Sequence, residues 1–263
     1  MKIIILAAGE GTRLRPLTLK NPKCLVNLFG KSILEWQLET IRNCQINQIV
    51  IVTGFLNKKI NFSDIKYYHN PNYSKTNMVE TLFSAKEELN DSVIISYGDI
   101  IYEKKVLQSL VNSQEDISVI VDDNWKEYWE TRFTNPLDDA ESLIIDKDGF
   151  ITDIGQKVTS FNKICAQFIG LMKFQGAGIE FLNDFYESKK NAAKNGTNPL
   201  NPSIPFEKSY MTDLLDSMIK SGKKIKAVNI KNGWLELDSM NDYETYKKLQ
   251  LEGKLSKFIN LEK

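Results

Sequence analysis

Four separate runs of almost entirely aliphatic residues limit the folds open to this chain. They are KIIILA at 2–7, QIVIVTGF at 48–55, SVIISYGD at 92–99 and ISVIVDD at 117–123. A strand that is apolar at nearly every position is buried on both faces, which is typical of parallel sheets covered by helices. The runs therefore predict an α/β fold, a Rossmann-like three-layer α/β/α architecture with a mostly parallel central sheet.

Segments with apolar residues at helical spacing separate these runs and continue into the second half of the chain. Helices are expected over 31–44, 76–89, 102–113, 176–194, 207–221 and 239–252. The segment 141–155 predicts a hairpin around an Asp-Gly turn, and further strands are expected at 167–174, 224–230 and 233–238. No long linker divides the chain, so we expect one domain over residues 1–263 with a small β-rich insertion.

The balance of charges argues against a large class of partners. Lys and Arg together number 34, as do Asp and Glu, so no general attraction for nucleic acid or for an anionic membrane is expected. The first apolar run is too short for the core of a signal peptide, and no stretch approaches the length of a transmembrane helix. We therefore expect a cytoplasmic protein that binds small molecules, with a homodimer left open as its assembly.

The scarcity of histidine and the spacing of cysteine restrict the chemistry further. His69 is the only histidine, expected in a loop or at a strand end, so a Ser-His-Asp triad or a His-rich zinc site has no basis. Cys24, Cys44 and Cys165 are scattered and offer no C-x-x-C metal pair. Catalysis must then depend on carboxylates, lysine, arginine or a bound metal ion.

The loop AAGEGTRL, which follows the first apolar run, has the features of an anion-binding turn. The backbone N–H groups of Gly9, Glu10 and Gly11 can surround a phosphate, and Arg13 adds a permanently charged side chain. Leu14 stands where a dinucleotide-binding motif has its third glycine, and the Gly-Lys-Ser/Thr ending of a Walker A loop is absent. The loop therefore predicts a phosphate site of a different kind from both.

Other charged residues stand where parallel sheets bind ligands, beyond the carboxyl ends of the strands. Lys23 lies between a proline and an apolar segment, which favours a phosphate contact over a surface position, and Asp99 ends the third apolar run. Glu236 and Asp238 alternate and so share one face of a strand. Asp99 and Asp238 together can hold a divalent cation, which prefers oxygen ligands. The alternative for Asp99 is a turn aspartate. For Glu236 and Asp238 it is a solvated strand face, or a helix cap in the case of Asp238.

These motifs together resemble a family of nucleotidyltransferases that activate phosphorylated small molecules. LAAGEGTRLRPLT followed by NPKCLV is similar to the family signature L-x-A-G-x-G-x-R-(x)-x-P-x-T with a later P-K, and SYGD and GWLELD match its two metal-binding acids. TNMVETL, WETRFTNPLDDAE and IGLMKF most resemble short cytidylyltransferases that act on phosphocholine, 2-aminoethylphosphonate or similar compounds in bacterial surface-glycan pathways. The resemblance implies a GT-A-like nucleotidyltransferase fold over essentially the whole chain.

The resemblance also implies a reaction, in which CMP passes from CTP to a small phosphorylated or phosphonate acceptor and pyrophosphate leaves, with Mg²⁺ as cofactor. The acceptor is already ionised, so no general base is needed. Arg13 would neutralise the leaving pyrophosphate, Lys23 would bridge the α-phosphate and the acceptor, and Asp99 and Asp238 would hold the metal. Besides Arg13 and Lys23, nucleotide contacts are implied for Leu6, Ala7, Ala8, Gly9, Glu10, Gly11, Thr12, Gly54, Thr76, Asn77, Tyr97 and Gly98.

The acceptor site is expected in the segment around Trp129, whose pattern is typical of neither a plain strand nor a plain helix. Aromatic side chains with carboxylates suit a cationic amine, whereas Arg132 and Lys157 suit a phosphate or a carboxylate, so phosphorylated glutamine is an option beside phosphocholine. A surface flap with an aromatic cluster is the alternative. The expected acceptor-binding residues are Trp129, Arg132, Asp139, Glu141, Lys157, Gly170 and Glu236.

Other functions remain open on the sequence. A sugar-1-phosphate uridylyl- or thymidylyltransferase would share the loop and the acids. An NAD-dependent oxidoreductase would need an acidic residue at the end of the second strand, where Thr53-Gly54-Phe55 stands instead. A non-catalytic nucleotide-binding module and a metal-dependent glycosyltransferase are further alternatives, although the chain lacks a clear D-x-D after its fourth strand.

Overall fold

A computed structural model of the chain describes residues 1–261. The strands are β1 (Lys2–Ala7), β2 (Asn27–Leu28), β3 (Lys31–Ser32), β4 (Gln48–Thr53), β5 (Lys66–His69), β6 (Val93–Tyr97), β7 (Ile100–Tyr102), β8 (Ile117–Asp122), β9 (Glu141–Ile145), β10 (Ile151–Lys157), β11 (Gln167–Phe174), β12 (Lys226–Ile230) and β13 (Trp234–Glu236). The helices are α1 (Ile33–Asn43), α2 (Met78–Phe83), α3 (Lys104–Asn112), α4 (Trp125–Arg132), α5 (Ala177–Ala193), α6 (Met211–Lys220) and α7 (Met240–Leu251). Within residues 1–261, no helix has both the length and the apolar character that crossing a membrane requires.

Seven strands form the central sheet, in the order β12-β8-β11-β6-β1-β4-β5. Neighbouring strands are parallel except at β11, which is antiparallel to both β6 and β8. The sheet is thus mostly parallel, as the apolar runs predicted. Ala7 of β1 is level with Thr53 of β4, and Leu6 is level with Tyr97 of β6. This register brings the carboxyl ends of three strands to one edge of the sheet.

Both faces of the sheet are covered, because β1 sends alternate side chains to opposite sides. Ile3 and Ile5 belong to one buried cluster, which they share with residues of α1, α3, α4 and α7. Ile4 and Leu6 belong to a second cluster with residues of α2, α5 and α6. Burial on both faces is the physical reason that the run is apolar throughout. The three-layer α/β/α architecture predicted from the sequence is confirmed.

Several elements differ from the sequence-based expectation. The helix expected over 76–89 is short, since α2 ends at Phe83 and only a 3-10 turn follows at Lys86–Glu88. The segment around Trp129 is the regular helix α4, whose aromatic residues are buried in the core that contains α7, so its pattern lacks one clean apolar stripe. Strand β5 was not predicted, because it lies half-buried at the sheet edge and carries polar residues.

The predicted hairpin is present outside the central sheet. Strands β9 and β10 pair antiparallel, with an irregular register that includes shifts on either side of residues 153–154. Gly155 in β10 has φ +78, and a Cβ there would stand 2.5 Å from Cβ of Thr212. The glycine therefore allows the hairpin to lie directly against α6.

Glu88 gives the fold a predicted sensitivity to acid. Its carboxylate is 2.6 Å from Nζ of Lys2, also pairs with Lys66, and accepts a hydrogen bond from the Tyr68 hydroxyl at 2.8 Å. These hydrogen bonds lower the pKa of Glu88 to about 2 from the ordinary 4.5. A carboxyl pKa that is depressed in the folded state stabilises the fold above the unfolded pKa, and this contribution is lost as the pH falls from 4.5 towards 2.

We expect Glu88→Gln to remove about 1–2 kcal/mol of this pH-dependent stability, a value reduced from the full shift because Lys66 is largely exposed. Urea unfolding at neutral pH and near pH 3 should therefore show a smaller pH dependence for Glu88→Gln than for the unaltered protein. The exposed neighbour Glu87 provides the matched control, Glu87→Gln. An equal pH dependence in all three proteins would contradict the prediction.

Candidate functional site

A cavity of about 380 Å³ opens where β1 and β6 end. Two glycines let the neighbouring loops approach the end of β1 closely. A Cβ on Gly54 would stand 2.6 Å from the carbonyl oxygen of Ala8, and a Cβ on Gly98 would stand 2.6 Å from that of Leu6. The loops after three parallel strands therefore converge, which is the position where open α/β sheets bind ligands.

Most of the predicted nucleotide-binding residues line this cavity. They are Leu6, Ala7, Ala8, Gly9, Gly11, Thr12, Arg13, Lys23, Thr76, Asn77 and Gly98, and the acids Asp99, Glu236 and Asp238 line it with them. Glu10, Gly54 and Tyr97 do not line it. Glu10 instead pairs with Arg15 at 3.4 Å, and the Tyr97 ring packs against Phe168. The structure thus places these three beside the cavity, and Gly54 acts by making room for Ala8.

Gly11 determines how Lys23 reaches the cavity. Its φ of +65 lies in the left-handed region, and a Cβ there would stand 2.9 Å from Cβ and 3.0 Å from Cγ of Lys23. The Thr18 hydroxyl donates to the Gly11 carbonyl at 2.7 Å and holds the loop in this conformation. The aliphatic part of Lys23 therefore crosses directly over Gly11, and only glycine satisfies both the backbone conformation and the available space.

This contact yields a prediction that separates two neighbouring glycines. Gly11→Ala is expected to destabilise the fold by about 1–3 kcal/mol, because it adds a left-handed alanine and displaces the Lys23 stem. A Cβ on Gly9 would meet nothing within 4 Å, so Gly9→Ala should leave the melting temperature unchanged. Thermal unfolding of the two variants tests the prediction, and equal melting temperatures would contradict it.

The charged centre of the cavity joins two acids through one lysine. Nζ of Lys23 lies 2.7 Å from Oδ2 of Asp99 and 2.6 Å from Oδ1 of Asp238. Arg13 lies with Nη2 2.5 Å from the other oxygen of Asp238. The Lys23 side chain is 13 % exposed and that of Arg13 66 %. Lys23 is therefore the inner cation of the site, and Arg13 is the cation at its mouth.

Strand pairing explains how residues far apart in sequence meet here. Strands β7 and β13 pair antiparallel, and the Leu237 N–H donates to the Asp99 carbonyl at 2.9 Å. The buried side chain of Gln37 in α1 donates to the carbonyls of Tyr97 and Ile100, at 2.7 and 2.5 Å, on either side of Asp99. These contacts fix the turn that carries Asp99 and bring Asp238 next to it.

The electrostatics of the centre follow from burial and from these charge contacts. Burial disfavours the charged form of Lys23, but the charges of Asp99 and Asp238 outweigh it and raise the pKa of Lys23 above its ordinary value. Burial also acts against the charged form of Asp238, yet Lys23 holds the pKa of Asp238 below its usual range. Burial raises the pKa of Glu236 to about 7, in spite of the opposing charge of Arg132. The site therefore concentrates an ammonium group, which a phosphate can bind, and carboxylates, which a cation can bind.

The residues around Asp99 fit a divalent cation. Oδ1 of Asp99 is buried and has no hydrogen-bond partner among the described residues. A carboxylate oxygen of this kind is a suitable ligand for a hard cation such as Mg²⁺. Within residues 1–261, no group of three or more His, Cys, Asp or Glu side chains is arranged to hold a metal. A cation at Asp99 and Asp238 would thus complete its coordination with water or phosphate oxygens.

Three of the predicted acceptor-binding residues line a second cavity of about 560 Å³, next to the first. These residues are Asp139, Glu141 and Lys157, and Tyr210 lines both cavities. Enclosure within the cavity, together with the charges of Asp139 and Asp213, raises the pKa of Glu141 to about 7. The two cavities therefore adjoin, and among the charged residues in the walls of the second the acids outnumber the lysines.

Of the other predicted acceptor residues, Glu236 lines the first cavity, and Trp129, Arg132 and Gly170 line neither. Trp129 and Arg132 are 4 % and 3 % exposed and line neither cavity. The Trp129 indole N–H donates to Asp139 at 3.1 Å, so it supports a cavity residue from behind. Gly170 has φ +84, and a Cβ there would stand 2.5 Å from the Tyr97 ring. Its role in this structure is to make room for that ring.

Several residues of the first cavity were not predicted from the sequence. They are Cys24, Tyr73, Met78, Thr81 and Tyr210. Cys24 and Met78 follow directly after the predicted Lys23 and Asn77, so their neighbourhood was recognised. Tyr210 gave no signal of its own, because it precedes α6, which is distant in sequence from every loop of the cavity. A residue of this kind becomes visible only when the chain has folded.

Several known proteins are similar to this chain in sequence. Residues 3–146 match the model of the MobA-like NTP transferase domain. A CTP:phosphoglutamine cytidylyltransferase of Campylobacter jejuni is 39% identical over 255 residues, which are 93% of this chain and 98% of that protein. A choline-phosphate cytidylyltransferase of Streptococcus pneumoniae is 37% identical over 43% of this chain and 51% of its own length.

The solved structures support the same fold. A CTP:phosphocholine cytidylyltransferase from Streptococcus pneumoniae matches with a TM-score of 0.71 at 21% identity, over 95% of this chain and 98% of that chain. An inositol-1-phosphate CTP transferase from T. maritima matches with a TM-score of 0.73 at 17% identity, over 98% and 97% of the two chains. At these identities the likeness concerns the fold. Together with the family model and the relative that spans nearly the whole chain, it leads to one conclusion. The chain belongs to the family of nucleotidyltransferases with a MobA-like NTP transferase domain.

Proposed function

We propose that this nucleotidyltransferase is a cytidylyltransferase, which transfers CMP from CTP to a small phosphorylated or phosphonate acceptor and releases pyrophosphate. The observation that carries the proposal is the Lys23 ammonium held between Asp99 and Asp238 beside the glycine loop. The C. jejuni relative, a CTP:phosphoglutamine cytidylyltransferase, supports CTP as the nucleotide. The family membership by itself leaves the base and the acceptor open.

The residues of the cavity perform this reaction by positioning and by charge neutralisation. The N–H groups of the glycine loop receive the triphosphate, and Arg13 at the mouth of the cavity neutralises the pyrophosphate as it leaves. Lys23 moves from the two carboxylates to the α-phosphate and to the incoming oxygen, where negative charge increases. The acceptor oxygen attacks the α-phosphorus, the bond to the β-phosphate oxygen breaks, and no side chain has to remove a proton.

The proposal includes Mg²⁺ as the cofactor, held by Asp99 and Asp238. The partnerless Oδ1 of Asp99 supports this assignment. When bound, the ion would neutralise phosphate charge and polarise the phosphoryl group. Lys23 pairs with both Asp99 and Asp238, so its ammonium compensates the two negative charges.

The second cavity is the proposed acceptor site. It adjoins the first at Tyr210, so an acceptor held there can present its phosphate to the α-phosphorus. Its acidic walls, with Asp139 and Glu141, suit an ammonium group, and Lys157 suits a carboxylate. An amino acid has both groups, which favours phosphoglutamine over phosphocholine and 2-aminoethylphosphonate. The reaction would take place in the bacterial cytoplasm and supply an activated group for decoration of a capsule or other surface glycan.

A panel of nucleotides and acceptors tests the proposal. Pyrophosphate release is measured with each of CTP, UTP, ATP, GTP and dTTP against phosphoglutamine, phosphocholine, 2-aminoethylphosphonate and glucose 1-phosphate. We expect release with CTP and one of the first three acceptors. Activity confined to UTP or dTTP with the hexose phosphate would overturn the proposal in favour of a sugar-1-phosphate nucleotidylyltransferase. Tight CTP binding without turnover on any acceptor would indicate a nucleotide-binding module.

A further inference from the structure

A buried carboxylate that lines no part of the first cavity contacts Asp238 directly and Glu236 through an arginine. Asp242 in α7 is 1 % exposed. One of its oxygens accepts hydrogen bonds from the N–H groups of Asp238 at 3.0 Å and Ser239 at 2.8 Å, and from the Ser239 hydroxyl at 3.0 Å. The backbone of Asp238 is therefore tied to the first turn of α7.

Arg132 connects the same carboxylate to Glu236. Its side chain is 1 % exposed, and its Nε donates to the other oxygen of Asp242 at 2.9 Å. On the opposite side, Nη1 of Arg132 lies 2.9 Å from Oε2 of Glu236. The contact with Glu236 is an ion pair without the alignment of a hydrogen bond. One guanidinium thus lies between an anchored carboxylate and a carboxylate that lines the cavity.

Arginine is the residue that this arrangement requires. Its planar, permanently charged group has separate N–H groups for two carboxylates, whereas a lysine ammonium concentrates its charge at one point. The guanidinium carbon of Arg132 lies 5.2 Å from the ring centre of Tyr128 and 5.1 Å from that of Phe133. These rings restrict the guanidinium and strengthen its attraction to both acids by excluding water.

The backbone of Glu236 is fixed independently by two tyrosines. The Glu236 N–H donates to the Tyr128 hydroxyl at 2.8 Å, and the Tyr246 hydroxyl donates to the Glu236 carbonyl at 2.6 Å. The backbone therefore stays in place when a charge beneath it is removed. What remains free to turn is the Glu236 side chain, whose direction depends on Arg132.

We propose that Arg132 and Asp242 are positioning residues, which set the direction of the Glu236 and Asp238 carboxylates in the cavity for nucleotidyl transfer. This inference rests on the proposed function. Without the Asp242 charge, Arg132 has Glu236 as its only carboxylate partner among its described ion pairs, so it draws Glu236 away from the cavity. Without the guanidinium, Glu236 and Asp242 lose the cation that lies between them. The carboxylates of Glu236 and Asp238 then move relative to the phosphates.

The test compares Asp242→Asn and Arg132→Lys with the control Glu244→Gln. Asparagine retains an oxygen that can accept from the Asp238 N–H but removes the charge. We expect Asp242→Asn and Arg132→Lys to lower kcat by about 30-fold or more while KM for CTP changes by less than about threefold, because the loss concerns the transition state. Glu244→Gln removes a carboxylate from an exposed position of the same helix and leaves the hydrogen bonds of Asp242 unchanged, so its kcat should stay within about twofold of the unaltered protein.

The outcomes are read from steady-state kinetics together with the melting temperature of each variant. A normal kcat for folded Asp242→Asn and Arg132→Lys would overturn the inference, as would an equal loss in Glu244→Gln, since that result means a general effect of charge on α7. If Asp242→Asn does not fold, Arg132→Lys, which retains a buried cation, decides the matter by the same kinetic criterion. The unaltered protein is assayed first, so a failure of the proposed function appears as inactivity with every acceptor before any variant is compared.

Discussion

Replacing Lys23 by alanine is expected to lower kcat/KM for CTP by about 10³-fold, which corresponds to about 4 kcal/mol of lost transition-state stabilisation. The ammonium is the inner cation of the cavity. It can move from the carboxylates to the α-phosphate as negative charge increases there. Its removal also takes the bridging cation from between Asp99 and Asp238 and leaves Asp238 with Arg13 alone. Binding of the negatively charged triphosphate should therefore weaken together with the chemical step.

Pyrophosphate release at varied CTP concentration measures this effect. Lys20→Ala is the matched control, because Lys20 belongs to the same connection after the glycine loop but its side chain is exposed and lines no part of the cavity. The control should retain activity within about twofold, as surface substitutions usually do. Activity of Lys23→Ala within tenfold of the unaltered protein would remove Lys23 from the reaction.

Asp99→Asn is expected to lower kcat by about 10²-fold or more and to raise the Mg²⁺ concentration needed for half-maximal activity. Asparagine has nearly the shape of aspartate, so the turn held by Gln37 should persist. The substitution removes the negative charge that both Lys23 and the proposed cation require. The buried, partnerless Oδ1 of Asp99 is the atom on which this expectation depends.

A magnesium titration of the pyrophosphate assay distinguishes this result from a general loss of activity. Asp91→Asn provides the matched control, since Asp91 precedes the same strand at its opposite end, is exposed, and has a φ of +59 that asparagine readily adopts. The control should leave both kcat and the magnesium dependence unchanged. An unchanged magnesium dependence in Asp99→Asn would place the metal elsewhere.

The parallel sheet and the glycine loop could be predicted because their signals are local. A strand buried on both faces must be apolar along its length, as β1 and β4 are. The loop after β1 has glycines and an arginine within a few residues, so its affinity for an anion is visible without the fold. Asp99 and Asp238 were recognised for a related reason, since each stands at the end of a predicted strand, and Lys23 was recognised because it lies between a proline and an apolar segment.

The structure differs from the sequence-based expectation where residue type suggested a ligand contact and the fold buries the side chain. Arg132 and Trp129 were expected at an acceptor, since aromatic rings and a cation suit such a site. The helix α4 turns both into the core, where Arg132 pairs with Glu236 and Asp242. No local pattern reveals this, because the partners lie more than 100 positions further along the chain. The same distance in sequence concealed Tyr210.

The sequence by itself determined the type of sheet, the phosphate loop and the identity of the charged residues, because each of these signals lies within a short segment of the chain. Only the tertiary structure decided which charges meet. The pairing of β7 with β13 sets Asp238 beside Asp99. Because Gly11 has no Cβ, the Lys23 side chain can cross over it and reach both carboxylates. Contacts between residues distant in the chain depend on strand register and on the space left by packing. Neither can be read from a short segment of the sequence.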